Sequence, residues 1–213
     1  MCLCSFSFDL IAQGSRNFFQ NESQPFYGGF LLGGNISTVE GDTYGGYHKV
    51  GLNTGVIVYA TIAPSFLGSM ELIYSQKGSR GIKASESYYS GTFIERYYLD
   101  LNYVEVPVVF HYLFTSQLSV GLGGSYAQLI KSKEEVVTDQ PVSLKPDINV
   151  FRKEDYNFIF DGGFQIGDGL FFNGRYQFSL ATIRDWDKIP LGFGYGGLQY
   201  NNSFSFRLMY LIK

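Results

Sequence analysis

Cysteine is almost missing from this 213-residue chain: there are two, Cys2 and Cys4, both in the first four residues. They lie too close together for a comfortable disulfide and match no metal-ligand spacing, so neither a disulfide framework nor a thiolate metal site organises the molecule. Histidine is as scarce, with only His48 and His111, and they do not form a metal-binding pair. No run of about 18 consecutive apolar residues occurs, which argues against a helical membrane span. An excess of positive charge is lacking too. The formal net charge is -3, and no stretch interleaves Lys or Arg with aromatics as nucleic-acid binding requires.

What is abundant is glycine (26), tyrosine (17) and phenylalanine (20), against six prolines. With 45% hydrophobic but only 16% charged residues, this mix suits pleated strands carrying aromatic side chains in one sizeable all-β domain. The stretch Met1 to Ala12 is mostly apolar and ends in small or polar residues, as a secretory signal does. Three segments are therefore expected: a signal peptide over residues 1–12, truncated at its start because no basic residue precedes its apolar part, a periplasmic segment over 13–24, and a barrel over 25–213.

Period-two alternation fills the third segment. Even-numbered positions are apolar in Phe26, Phe30, Leu32 and Ile36, and in Leu52, Val56 and Val58. The same phase runs through Phe66, Met70, Leu72 and Tyr74, through Val104 to Tyr112, and through Leu118, Val120, Leu122 and Tyr126. It continues in Phe158, Phe160, Phe164 and Ile166, in Leu170, Phe172, Tyr176 and Phe178, and in Phe204 to Ile212. These are eight segments of about ten residues, the length a tilted strand needs to cross a bilayer. Alternation alone also fits a soluble, lipocalin-like binder with the apolar face turned inward.

The connections separate the two cases. Links after strands two, four and six are short, around Pro64, Ser116 and Asp168; links after strands one, three, five and seven are long and polar. Short periplasmic turns alternating with long outside loops are how outer-membrane barrels are built. Aromatic residues on the apolar face add two belts, with Tyr74, Tyr126, Tyr156 and Tyr200 toward the long loops and Phe26, Phe66, Tyr112, Phe164, Phe172 and Tyr210 toward the short turns. The fold predicted is an eight-stranded, antiparallel, up-and-down transmembrane β-barrel in contact with outer-membrane lipid.

Several stretches resemble the PorT-like outer-membrane β-barrel family, a branch of the small OmpA-type barrels. They are Gly33-Gly34-Asn35-Ile36-Ser37, Lys49-Val50-Gly51-Leu52-Asn53-Thr54-Gly55-Val56, Met70 to Gly78, Tyr103 to Val108, and Arg175 to Leu180. The resemblance implies outer-membrane location and says much less about activity. A structural or accessory role, with a place in an envelope or secretion assembly, is the expectation it leaves.

An eight-stranded barrel is just wide enough for its side chains to fill it. On the inward, odd-numbered face Glu71, Asp161, Arg175 and Arg207 fall at similar depth, so two carboxylates and two guanidiniums are expected to pair in the lumen, with Glu105 and Lys77 higher up. The alternative use of these charges is a narrow transport or ligand-binding barrel. No cofactor or metal is expected. An enzyme is not expected either: His111 and Glu105 share a face but lie about 20 Å apart along a strand, and no nucleophile elbow is present. Glu40, Asp42 and His48 fit a solvated loop, and Gly121, Gly123 and Gly124 belong to a strand and not to a phosphate cradle. The outside loops carry Tyr44, Tyr47, Tyr88, Tyr89, Phe151, Trp186 and Phe193 among mixed charges. They are candidates for contacting an envelope protein partner, or for packing on one another above the barrel.

Overall fold

A computed structural model describes residues 18–19, 25–42, 45–81, 85–86, 93–138, 150–188 and 198–212. Eight long strands follow in order: β1 (Phe26–Glu40), β2 (Lys49–Ala63), β3 (Phe66–Gly81), β4 (Phe93–Leu113), β5 (Leu118–Thr138), β6 (Glu154–Gly167), β7 (Leu170–Ser179) and β8 (Tyr200–Ile212). Each pairs antiparallel with its neighbours in sequence, and β1 pairs with β8 from Gly28↔Ile212 to Glu40↔Tyr200, which closes the sheet. Closure leaves no lipid-exposed sheet edge, the condition for placing strands in hydrocarbon. A two-residue strand, Ser85–Glu86, pairs with the start of β4, and a 3-10 turn spans Trp186–Lys188.

The single phase seen in the sequence becomes an inside and an outside. In β8 the buried and exposed classes alternate strictly from Ser203 to Ile212, odd positions in and even positions out. Phe26, Phe30, Phe160 and Phe206 point outward and are half or more exposed, while Asn35, Asn53, Gln177 and Ser205 are buried. A sheet with greasy side chains outside and polar ones inside is inverted relative to a lipocalin-like soluble binder, so that alternative is corrected. The outward aromatics gather at the expected levels: Tyr126 meets Tyr156 toward the long loops, centroids 5.6 Å apart, and Phe66 meets Tyr112 at 5.2 Å near the short turns.

The turns are as short as expected. The β6–β7 link is Asp168-Gly169, with Gly169 at φ 74° supplying the left-handed conformation that the turn demands. On the opposite side the strands run further than the apolar pattern. β4 and β5 are 21 residues each, about twice the expected length, because pairing continues above the membrane where outward positions turn polar, as at Asp100↔Lys133. A register shift between Asn102 and Tyr103 on β4, opposite Lys131 and Leu129 of β5, reverses the phase of β5 above it. Even-numbered Glu134 thereby faces inward, toward Tyr97.

Two apolar clusters bracket a polar middle. The lower one, at the short-turn mouth, includes Tyr27, Leu31, Ile57, Tyr59, Leu67, Phe171, Met209 and Leu211. It also takes in Phe18 and Phe19 from before the first strand, which are buried against Tyr27, Tyr59 and Phe171 with ring centroids 5.3–5.5 Å apart. The upper cluster joins Val39, Tyr97, Leu99, Leu101, Tyr103, Ala127, Phe151 and Ile183.

Candidate functional site

Register builds the charged centre of the lumen. Asp161 of β6 stands directly opposite Arg175 of β7, and Asn173 of β7 opposite Arg207 of β8. Arg175 Nε donates to Asp161 Oδ2 at 2.8 Å, and its Nη2 and Nη1 reach across the barrel to Glu71 Oε1 and Oε2 of β3 at 2.6 and 3.1 Å. Arg207 Nη1 donates to the same carboxylate at 2.8 Å, while its Nε donates to Asn173 Oδ1 at 2.9 Å. Asn173 in turn donates to Asp161 Oδ1 at 2.7 Å. All four charged side chains are at most 1% exposed. Two positive and two negative charges cancel, and the bidentate guanidinium geometry satisfies the carboxylate oxygens, which offsets the cost of taking them from water. Gly33 of β1 lies beside Arg207. A Cβ there would press into the Phe206 carbonyl and the Arg207 side chain, so glycine leaves the space through which the guanidinium enters the lumen.

Above this quartet, Lys77 donates to Glu105 Oε1 at 2.6 Å, and Gln177 donates to the same oxygen at 2.7 Å and to Ser125 at 3.1 Å. Glu105 thus meets Lys77 and not His111. At the long-loop end Tyr97 Oη donates to Glu134 Oε1 at 2.6 Å, Arg184 Nη2 donates to Glu134 Oε2 at 2.8 Å, and the Arg184 guanidinium lies 3.6 Å from the Phe151 ring centroid. Burial, then the neighbouring Glu134 carboxylate, push the Tyr97 phenol well above its usual range, so it stays a donor. At this height half-buried Asp100 bridges Lys49 and Arg80, each 2.7 Å away. Partial burial alone would raise its carboxyl, but hydrogen bonds from both cations outweigh this and hold it below the usual range.

The sequence did not single out Ser69, Glu134, Arg184 or Asp155. Ser69 Oγ lies 2.8 Å from His111 Nε2, and His111 Nδ1 lies 3.8 Å from Asp161 Oδ1. The three groups follow the order of a nucleophilic triad, but Asp161 is too far to hold the imidazole, and its oxygens already serve Arg175, Arg207 and Asn173. Tyr59 packs on the ring at 5.2 Å. Among the described residues no group of three or more His, Cys, Asp or Glu side chains is arranged to hold a metal ion.

The loop aromatics divide. Tyr47 is 37% exposed and packs on Phe204 at 5.2 Å, whereas Phe151 is buried beneath Arg184 and turned inward, away from any external partner. Trp186 opens the 3-10 turn. Tyr44, Tyr88, Tyr89 and Phe193 lie outside the described residues.

A family model for an outer membrane protein beta-barrel domain matches residues 12–185. Among solved structures the chain is similar to Ail, the attachment invasion locus protein of Yersinia pestis, at 11% identity and a TM-score of 0.45, covering 89% of this chain and 100% of that one. It is similar to Neisserial surface protein A at 8% identity and a TM-score of 0.46, covering 87% and 96%. For the outer membrane protein OprG from Pseudomonas aeruginosa the values are 9% and 0.36, covering 87% and 94%. Among curated proteins nothing matches the chain.

Proposed function

The chain belongs to the outer membrane protein beta-barrel domain family, and we propose that within it this is a closed, non-enzymatic barrel with a structural or accessory role. Its place is the bacterial outer membrane, where the outward apolar band meets lipid. The observation that carries the proposal is obstruction of the lumen at three heights: the Phe18–Phe19 pair in the short-turn mouth, the Glu71–Asp161–Arg175–Arg207 quartet, and the Tyr97–Glu134–Arg184 cluster under Phe151. A narrow transport path would have to break all three. Activity then belongs to the outside loops and to a protein partner in the envelope. The PorT-like segments, from Gly33-Gly34-Asn35-Ile36-Ser37 to Arg175-Tyr176-Gln177-Phe178-Ser179-Leu180, support a position in that branch. A signal cut between Ala12 and Gln13 keeps Phe18 and Phe19 in the mature chain, as a periplasmic segment over 13–24 requires.

A photo-activatable amino acid placed at Tyr47 or Trp186 in cells tests the accessory role. One discrete protein adduct is expected from each loop position and none from lipid-facing Phe160. No adduct at either loop position, together with leakage of small sugars from liposomes carrying the purified barrel, contradicts the proposal and favours transport.

A further inference from the structure

Every carboxylate, lysine and arginine side chain buried in the barrel has an ion-pair partner among the described residues, with one exception. Glu71 and Asp161 meet Arg175 and Arg207, Lys77 meets Glu105, Arg184 meets Glu134, and Lys49 meets Asp100. Asp155, near the start of β6 and 1% exposed, meets no cationic side chain among the described residues. Its Oδ2 accepts from Asn201 Nδ2 at 3.0 Å, the Ser179 hydroxyl and, at longer range, Lys77 also act on the carboxyl, and its Oδ1 has no hydrogen-bond partner. Burial with so little positive charge in contact disfavours the ionised form, so this carboxyl either keeps its proton or gains a cation.

The surroundings supply matching oxygens. Ala127 of β5 stands between Glu105 of β4 and Asp155 of β6 in the register, and its methyl is the small side chain separating the two carboxylates. Glu105 spends Oε1 on Lys77 and Gln177, while Oε2 has no partner. Asn157, two residues along the inward face of β6 and 2% exposed, has neither amide atom partnered. Asn201 of β8 donates to both Asp155 and Tyr103 Oη, the latter at 3.1 Å, and its Oδ1 is likewise unpartnered. Four buried oxygens without donors, Asp155 Oδ1, Glu105 Oε2, Asn157 Oδ1 and Asn201 Oδ1, therefore come from β4, β6 and β8. With Lys77 counted against Glu105, they carry one negative charge when Asp155 is ionised.

We propose that Asp155, Asn157, Asn201 and Glu105 form a buried binding site for a hard cation between the charged quartet and the long-loop end. Oxygen-only donors exclude a soft or nitrogen-seeking metal and suit Na⁺ or Ca²⁺, which coordinate carboxylate and amide oxygens. The bound ion ties three strands together and gives Asp155 the contacting positive partner that no described side chain supplies.

The test uses the full chain in detergent micelles, with heat-resistance read as the temperature at which the folded band disappears on gels. Starting from choline chloride with chelator, CaCl₂ or NaCl is added at constant ionic strength. The expected result is an upward shift of roughly 5–10 °C with either ion at about 100 times its dissociation constant. Asp155→Asn is expected to resist heat better than wild type in choline and to lose the ion response. Asn157→Val, which keeps the charge and removes one oxygen, is expected to need more ion for the same shift. Equilibrium dialysis with radioactive calcium or sodium measures binding directly, with about one ion per barrel expected. A wild-type transition that is identical in choline, sodium and calcium, or an undiminished ion response in Asp155→Asn, overturns the site.

Discussion

Arg175 and Glu71 meet across the barrel, Nη2 donating to Oε1 at 2.6 Å over a sequence separation of 104 residues. They sit on β7 and β3, which are not neighbours in the sheet, so their contact joins opposite walls through the lumen. Replacing Arg175 with Met leaves Glu71 and Asp161 to share Arg207. The expected cost is about 3–5 kcal/mol, the price of stranding a buried charge, seen as a lower urea midpoint in lipid vesicles. Adding Glu71→Gln to Arg175→Met restores part of that loss, because one unpaired carboxylate is removed.

The short-turn mouth makes a separate prediction. Phe18 and Phe19 are 3% and 9% exposed and touch Tyr27, Tyr59 and Phe171. Phe18→Ala or Phe19→Ala empties aromatic volume and is expected to destabilise the folded barrel by about 3 kcal/mol or somewhat less, since the segment can partly collapse into the space. Limited proteolysis from the periplasmic side reports the same event, with cleavage before residue 25 accelerated in the variants and unchanged in lipid-facing Phe160→Leu.

Glycines on the two faces of β1 should behave differently. Gly33→Ala forces a methyl toward Arg207 and the Phe206 carbonyl, whereas a methyl at Gly28 meets nothing within 4 Å. The first is expected to cost about 1–3 kcal/mol and the second under about 0.5 kcal/mol. Parallel denaturation of the two variants measures the difference.

The fold was legible because a bilayer imposes one polarity rule on every strand, and the even-numbered phase holds through the apolar part of all eight strands. That rule also carried Glu71, Asp161, Arg175 and Arg207 to one depth. Asp155 obeys the same inward phase as Asp161, so its burial was readable although its lack of a cationic partner was not. Glu134 was hidden for a different reason: the register shift below it reverses the phase of β5. Arg184 and Phe151 lie outside the long strands, where no periodicity exists to aim a side chain. The true lengths of β4 and β5 were missed because apolar alternation reports the thickness of the hydrocarbon, while the hydrogen-bond ladder continues beyond it.

Outside the membrane, Asp185 links two loops by accepting from Lys188 Nζ at 3.0 Å and from Arg152 Nη2 and Nε at 2.6 and 2.9 Å. These hydrogen bonds, from Lys188 first and then Arg152, hold its carboxyl below the usual range. Its contribution is therefore fully present above the ordinary Asp value of about 3.9 and is lost as pH falls through the lower folded value. Amide exchange over residues 183–188 is expected to be insensitive to this link between pH 5 and 7 and to lose its protection only at more acid pH. Asp185→Asn should show the loose pattern at every pH.

Single-channel recording in planar bilayers tests the closed lumen most directly. The full chain is expected to give no discrete conductance steps above the bare membrane, and Arg175→Met is expected to stay silent as well, since the Phe18–Phe19 pair and the Tyr97–Glu134–Arg184 cluster still obstruct the path. Long-lived, uniform conductance steps from the folded wild-type protein would contradict a barrel sealed by its own side chains.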